Sequence, residues 1–303
     1  MSRLRDLLAF CTLACLWGLS VAAVEIGFAS FPPLLLSAFR YDIAGALLLG
    51  YVAATRDDWY PTTRGDAVSI LGGGVFWIAV GNGVWFVGQG LTSSVLSGLM
   101  TSLTPIATAA VSWVVLLEDR LTVVSLFGLF VSFGGALLFV LPTGPATLTA
   151  AVVGKLLLLV GVAGLAVGSV LMRWASTSLA SVPRTAWATL VGAAFIHVLS
   201  VLAGEQWSAT VTTTGLASLL YLSVGATVVG YVLFFTLLDR HPAIEVTLVT
   251  YLVPVVAAAA GWLLFGEAIS ARMGAGFAVV VVGFLLMKRR ELRAEFARLE
   301  SRR

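Results

Sequence analysis

Two stretches of this 303-residue chain repeat one pattern. The first is Gly98-Leu-Met-Thr-Ser-Leu-Thr-Pro105, followed by Glu118, and the second is Thr247-Leu-Val-Thr-Tyr-Leu-Val-Pro254, followed by Glu267. In each, the glutamate stands thirteen residues after the proline, and a hydrophobic stretch with spaced glycines comes next. An offset of 149 residues superimposes the two patterns without a gap. Internal duplication in a hydrophobic chain is typical of transporters whose related halves enclose a binding site.

Composition places the chain in a membrane. Hydrophobic residues make up 59% of it and charged residues 11%, with a mean hydropathy of +1.02, whereas a globular domain is about 25% charged. Cys11 and Cys15 are too few for a disulfide framework and lack nearby histidine or acidic partners, so we expect packing residues. We expect no cofactor and no metal. The basic tail favours lipid headgroups over nucleic acid as a partner.

Ten apolar stretches are long enough to cross a bilayer, which takes about 20 residues in a helix. We expect helices at 7–29, 33–54, 66–88, 91–116, 121–141, 151–172, 184–203, 213–237, 242–264 and 269–287. The first is too long for a cleaved signal peptide, so we expect a retained helix.

The distribution of positive charge predicts the orientation. With the amino terminus inside, eight arginines and the seven Lys/Arg residues of the tail lie at cytoplasmic ends, against Lys155 and Arg272 on the other side. An odd number of spans in each half inverts the second half relative to the first. The sequence therefore predicts an all-α membrane protein with ten transmembrane helices, arranged as two inverted five-helix repeats around a central cavity. We expect the first repeat in 1–145, the second in 146–288 and a cytoplasmic tail in 289–303.

The chain resembles the EamA-like branch of the drug/metabolite transporter superfamily. The residues that carry the resemblance are Trp17-Gly18, the segment from Pro32 to Arg40, and the two proline–glutamate helices with the glycine-rich helices after them. It covers nearly the whole chain and implies a central cavity and export of small metabolites. The aromatic-rich cavity helices favour similarity to the YddG-type amino-acid exporters. One departure is Glu25, where family members often have lysine.

Glu25 and Arg40 fall at similar depth on neighbouring antiparallel helices, at about 1.5 Å of rise per residue. We expect them to pair, because pairing lowers the cost of charge in the bilayer. Such a pair would either fix the first helix against the second or take part in gating.

The candidate substrate-binding residues are the few polar and aromatic side chains at membrane depth. They are Trp17, Trp77, Asn82, Trp85, Ser97, Thr101, Tyr231, Thr250 and Tyr251, with Thr247 and Trp187 as further candidates. Pro105 and Pro254 each free a backbone carbonyl one turn earlier, which substrate, water or a hydroxyl can satisfy. The alternative is that the prolines only kink their helices and the hydroxyls bond their own backbone.

Other polar residues favour structural roles. Glu118 and Glu267 lie at helix ends before Thr122 and Ser270, which indicates capping and loop closure. We expect His197 to be a hydrogen-bonded packing residue more than a proton carrier. Gly164 and Gly168 form a spacing that lets helices approach closely.

These features together predict a monomeric secondary transporter of a bacterial or archaeal inner membrane. We expect it to export small metabolites, above all amino acids, including aromatic ones, by alternating access. We expect transport to be facilitated diffusion or to be weakly coupled to protons. The alternatives are a transporter of nucleotide-sugars, sugar phosphates or cationic drugs, and a channel. Binding of a phosphorylated substrate requires several Lys or Arg side chains in the cavity, and Arg40 is the one that the sequence clearly places there. We expect that the protein is not an enzyme, since the sequence contains neither an HExxH motif nor a set of paired catalytic residues.

Overall fold

The computed structural model describes residues 3–116, 122–141, 149–206, 210–238, 240–241, 243–290 and 293. Within those ranges the chain is helical, as ten helices: α1 (Arg3–Gly27), α2 (Pro33–Thr55), α3 (Arg64–Gly90), α4 (Ser94–Leu116), α5 (Val123–Val140), α6 (Ala150–Trp174), α7 (Ser181–Leu202), α8 (Thr213–Leu238), α9 (Ala243–Phe265) and α10 (Ala271–Met287). Eight are long and apolar enough to cross a bilayer, and two shorter apolar helices, Val249–Phe265 and Ala271–Met287, complete the set. Each coincides with a predicted stretch to within four residues at either end, so the predicted fold class is confirmed.

The helices begin and end where the sequence supplies caps. Thr122 and Ser270 each accept a hydrogen bond of 3.2 Å from the backbone amide three residues later, which confirms their predicted capping role. Gly204 and Gly266 follow α7 and α9 with φ of +70° and +66°. This left-handed conformation favours glycine and turns the chain back after a helix.

Helices of one half pack against helices of the other in matched pairs. Helix α3 packs on α6 as α8 packs on α1, and α4 packs on α6 as α9 packs on α1. Helices α2 and α7 pack together, as do α5 and α10, so that each of these pairs unites a helix with its own repeat mate. A pseudo-twofold axis in the membrane plane generates this exchange, as expected of inverted repeats.

Glycines permit the closest helix contacts. A Cβ atom added to Gly164 or Gly168 would lie within 2.8 Å of backbone atoms of α3, closer than real Cβ atoms approach. Between α5 and α10, a Cβ on Gly128 would lie 2.5 Å from the carbonyl oxygen of Gly283, and one on Gly283 would lie 2.6 Å from that of Gly128. The glycine spacing predicted to bring helices together does so on α6, and other glycines join α5 to α10.

Two helices widen at equivalent places in the repeats. Residues Gly73–Val84 of α3 and Tyr221–Val229 of α8 are π-helical. The 149-residue offset carries the first segment onto 222–233, so the two wide segments overlap. Extended π-helix is rare and concentrates at functional sites.

Helix α4 changes its neighbour along its length. Ser94–Met100 and the 3₁₀ turn Thr101–Leu103 pack on α9, whereas Thr104–Leu116 packs chiefly on α6. Pro105 lies at this change, where its missing N–H cannot bond the carbonyl of Thr101. Helices α4 and α9 therefore meet at the end of the bundle that holds the 91–93 and 266–270 connections, which we call the far end because both described chain ends lie opposite it.

Candidate functional site

Three predicted aromatic residues come together where α1, α3 and α8 meet, and we call Trp17, Trp77 and Tyr231 the aromatic cluster. The rings of Trp77 and Tyr231 are stacked, with centroids 5.2 Å apart and planes 26° apart. Trp17 donates from Nε1 to the carbonyl oxygen of Ala226 at 3.0 Å. Both π-helical segments contribute to the cluster, because Trp77 and Ala226 lie on them.

Glycines make room for the two indoles. A Cβ on Gly230 would lie 2.7 Å from Nε1 of Trp17, and one on Gly168 would overlap the backbone and Cβ of Trp77. Gly81, the repeat mate of Gly230, receives Leu165 in the same manner. The repeats thus share one packing device, but Leu165 occupies at Gly81 the place that the indole of Trp17 occupies at Gly230.

Two polar side chains support the wide turns. Asn82 donates from Nδ2 to the carbonyl oxygen of Trp77 at 2.8 Å, and Thr227 donates from Oγ1 to that of Leu222 at 2.8 Å. Each bond spans five residues and occupies a carbonyl within a π-helical segment. The side chain of Asn82 therefore stabilises the backbone at Trp77. Thr227 was not predicted as a site residue, although it stands four residues before Tyr231.

Arg40 of α2 lies beside this cluster and corrects the expected ion pair. Its side chain is buried, at 7% exposure, and its Nε donates to Oγ1 of Thr227 at 2.9 Å. The guanidinium carbon lies 4.9 Å from the ring centre of Tyr41 and 5.7 Å from that of Phe86. Glu25 does not pair with it: the acid–base contacts between described residues join other groups.

Glu25 lies two residues before the end of α1, at the far end of the bundle. It is half-buried, and its Oε2 atom is buried without a hydrogen-bond partner. Nearby, Gln89 of α3 donates to the carbonyl oxygen of Val21 at 2.8 Å and fastens α3 to α1. The predicted pairing of Glu25 with Arg40 is therefore wrong, because the two side chains contact different neighbours.

The two candidate hydroxyls of α4, on Ser97 and Thr101, bond within their own helix or to the turn before it. Thr101 donates to the carbonyl oxygen of Gly98 at 2.7 Å, and buried Ser97 contacts the hydroxyl of Thr92 at 3.2 Å. This agrees with the structural alternative for these residues. In the described part of the chain, neither the Ser97 nor the Thr101 hydroxyl forms a hydrogen bond with the aromatic cluster.

The remaining candidates lie in other packing groups. Tyr251 packs on Phe284 of α10, with ring centroids 4.5 Å apart, and Trp85 is buried against Gly161 of α6. Half-buried Thr250 precedes Pro254 by one turn in an α9 that continues through the proline. Tyr251 and Trp85 belong to a hydrophobic group separate from the aromatic cluster.

Trp187 and His197 of α7 also lie away from the cluster. Trp187 stacks on Trp59 with ring centroids 6.1 Å apart and donates to its carbonyl oxygen, beside a surface groove lined by residues 61–64. His197 Nε2 lies 2.7 Å from a carboxylate oxygen of Asp42, and both side chains are partly exposed. His197 is hydrogen-bonded as expected, but the sequence did not reveal its partner.

Carboxylates clamp the beginnings of helices across the two halves. Glu267 accepts from the backbone amides of Ser94 and Val95 at 2.9 and 2.7 Å and from the Ser94 hydroxyl at 2.9 Å. Glu205 accepts from the amides of Leu34 and Leu35 at 2.9 and 3.0 Å. The capping role predicted for Glu267 is confirmed, with the correction that it caps α4 rather than the helix after it.

Several predicted features lie outside the described residues. Glu118 belongs to the range 117–121, and of Thr247 only the backbone is described.

The matched halves, the ten apolar helices and the glycine contacts agree with one family. The EamA-like transporter family matches residues 4–141 and again 152–289. The chain belongs to the EamA-like transporter family. As a family member it is a multi-pass membrane protein and a membrane transporter of the drug/metabolite type.

Relatives extend over nearly the whole chain. The uncharacterized transporter YvbV of Bacillus subtilis is 25% identical over 292 residues, covering 93% of this chain and 90% of its own length. The uncharacterized inner membrane transporter YedA of Escherichia coli is 27% identical over 292 residues, covering 94% and 92%. A solved crystal structure superimposes with a TM-score of 0.67 at 20% identity, covering 97% of this chain and 100% of the other. It shows that the fold is shared.

Proposed function

We propose that this EamA-like transporter exports amino acids, aromatic ones among them, across the plasma membrane by alternating access. The observation that carries the proposal is the aromatic cluster, since Trp17, Trp77 and Tyr231 meet at the π-helical segments of both halves. Indole and phenol rings stack on apolar and aromatic side chains of a ligand. Rigid side chains on helices from both repeats are also the groups that a rocking motion would move relative to one another.

The charge beside the cluster supports a substrate with little net charge. Arg40 is the cation that the described helices place there. A sugar phosphate or nucleotide-sugar carries two or more negative charges, and one guanidinium leaves at least one of them uncompensated in a medium where this is costly. An amino acid has one carboxylate and no net charge.

In this proposal, the described conformation is closed at the far end. Glu267 fastens the connection after α9 to α4, Gln89 fastens α3 to α1, and the first part of α4 packs on α9. Export requires these contacts to separate while the opposite ends of α4 and α9 approach. Both termini lie in the cytoplasm, as the distribution of positive charge favours, and the chain works as a monomer.

Uptake into liposomes tests the function. We expect purified protein to give saturable uptake of radiolabelled L-phenylalanine and L-leucine. Trp77→Leu should raise the KM, because it removes a stacked ring, whereas Trp187→Leu, at the distant groove, is a matched control that should leave it unchanged. Failure of folded wild-type protein to move any amino acid would refute the substrate assignment.

The same liposomes test energy coupling. We propose facilitated diffusion or weak proton coupling, because Glu25, the described carboxylate with a buried oxygen that lacks a hydrogen-bond partner, lies near the end of α1 rather than at the cluster. We expect uptake rates to be similar with and without an imposed pH gradient. A several-fold acceleration by the gradient would contradict this.

A further inference from the structure

Arg40 is an uncompensated buried charge in the membrane-spanning part of the bundle. It is 93% buried by its 7% exposure, and it forms no ion pair with any described carboxylate. A cation at membrane depth without a counter-ion is costly. Unless another group repays the cost, Arg40 destabilises the protein that carries it.

The guanidinium is held by one edge. Its Nε donates to Thr227, and the faces of Tyr41 and Phe86 lie beside it. Among the described residues, no protein acceptor bonds its two terminal amino groups, and neither group is one of the fully buried unpaired atoms, such as Nε of Arg184. The pair of donors at the end of the guanidinium is thus an open edge, without an acceptor among the described residues.

This open edge lies close to the aromatic cluster along α8. Thr227 directly follows Ala226, which accepts the hydrogen bond from Trp17, and precedes Tyr231 by four residues, about one helical turn. A ligand that stacks in the cluster thus has the free donors of Arg40 within reach of its polar end.

We propose that Arg40 binds the carboxylate of the substrate through its two terminal amino groups, with Thr227 holding the guanidinium in orientation. The inference rests on the proposed function and identifies the group of the substrate that the protein recognises. Two parallel N–H donors match the two oxygens of a carboxylate and form the strong, bidentate kind of charge-assisted hydrogen bond. The ligand class is a monocarboxylate with an apolar or aromatic side chain. Its binding offsets the unfavourable free energy of burying the charge of Arg40.

The experiment compares ligands that differ only at the polar end. The probes are L-phenylalanine, L-phenylalaninamide and phenethylamine, which lack the anionic group in the last two cases, and 3-phenylpropionate, which keeps it without the amine. Binding is measured by quenching of tryptophan fluorescence in detergent and by inhibition of L-phenylalanine counterflow in liposomes. The variants are Arg40→Gln, Arg40→Lys and Thr227→Val. Arg184→Gln is the matched control. Arg184 lies near the start of α7, and its guanidinium donates to the carbonyl oxygen of Met172 on α6 rather than to a group beside the aromatic cluster.

We expect Arg40→Gln to weaken binding of L-phenylalanine and 3-phenylpropionate by about 10- to 100-fold, and to change phenethylamine binding by no more than about twofold. Arg40→Lys keeps the charge without the fork and should fall between wild type and Arg40→Gln for the carboxylates. Thr227→Val should weaken the carboxylates by a smaller factor. Arg184→Gln should leave all four affinities as in wild type.

The outcomes separate this inference from the proposed function. Equal weakening of carboxylates and phenethylamine would show that Arg40 only supports the fold, and would overturn the inference while leaving amino-acid transport standing. Binding of 3-phenylpropionate that depends on Arg40, without amino-acid transport, would support the inference and refute the substrate proposal. If Arg40→Gln does not fold, Arg40→Lys decides: no discrimination between carboxylate and amine probes would refute the inference. Wild-type protein that prefers none of the carboxylates over phenethylamine would do the same.

Discussion

Substituting Gly230 by alanine should loosen Trp17 without touching the substrate. The new Cβ would lie 2.7 Å from Nε1 of the indole, whereas ordinary contact begins at 3.4 Å, so the ring must move away from α8 by about 0.7 Å. The same movement lengthens the hydrogen bond of 3.0 Å to Ala226 beyond hydrogen-bonding distance. A lost hydrogen bond costs about 0.5–1.5 kcal/mol, which corresponds to about a 2- to 12-fold rise in KM if Trp17 lines the site.

The matched control is Gly225→Ala on the same helix. Its Cβ would meet the ring of Tyr221 at 3.3 Å, which a few tenths of an ångström relieve, and both substitutions gain the same helix propensity. Saturation kinetics of L-phenylalanine uptake are measured for both variants and for Trp17→Phe, which keeps a ring but removes the N–H donor. We expect Gly230→Ala and Trp17→Phe to raise the KM together. An unchanged KM for Gly230→Ala, or an equal change for Gly225→Ala, would refute the placement of Trp17 in the site.

Two further predictions concern the scaffold and the far end. Gly135→Ala should destabilise the protein by about 1–3 kcal/mol, because its Cβ would lie 2.8 Å from backbone atoms of α10, whereas Gly134→Ala meets nothing within 4 Å and should be neutral or stabilising. Thermal unfolding in detergent compares the two, and equal midpoints would contradict the close contact of α5 with α10. Glu267→Gln replaces a charged acceptor of three hydrogen bonds and should speed hydrogen exchange at the amides of Ser94 and Val95. Glu205→Gln serves as its control and should leave those amides unchanged, since its own hydrogen bonds come from Leu34 and Leu35 at the start of α2 and from Ser200 of α7.

The sequence was sufficient for the fold because length, hydropathy and punctuation act locally. Apolar stretches long enough to cross a bilayer have few structures open to them, and Thr122 and Ser270 cap helices by bonding amides three residues away. The repeat then related the halves, since a duplicated sequence folds in the same manner twice. None of these steps required knowledge of which helices are neighbours.

The site was less predictable because it depends on rotation about each helix axis. Glu25 and Arg40 lie on consecutive antiparallel helices, but position along a helix leaves the direction of a side chain open, and in the structure Arg40 points to Thr227 instead. The contact of His197 with Asp42 likewise required the packing of α7 on α2. The π-helical segments had no sequence signal of their own, because the apolar composition suits an α-helix equally well.

The contact between α5 and α10 is self-complementary. The contact of Gly128 with Gly283 recurs between Gly135 and Gly276, the equivalent glycines of the two halves, so the same surface occurs on both sides. A shorter ancestor with five helices, inserted in both orientations, would have built this seam from two identical copies. One substitution would then have altered both sides at once. A single chain is free of that constraint, and each half here carries residues that the other lacks, among them the indole of Trp17 where the second half has the aliphatic Leu165.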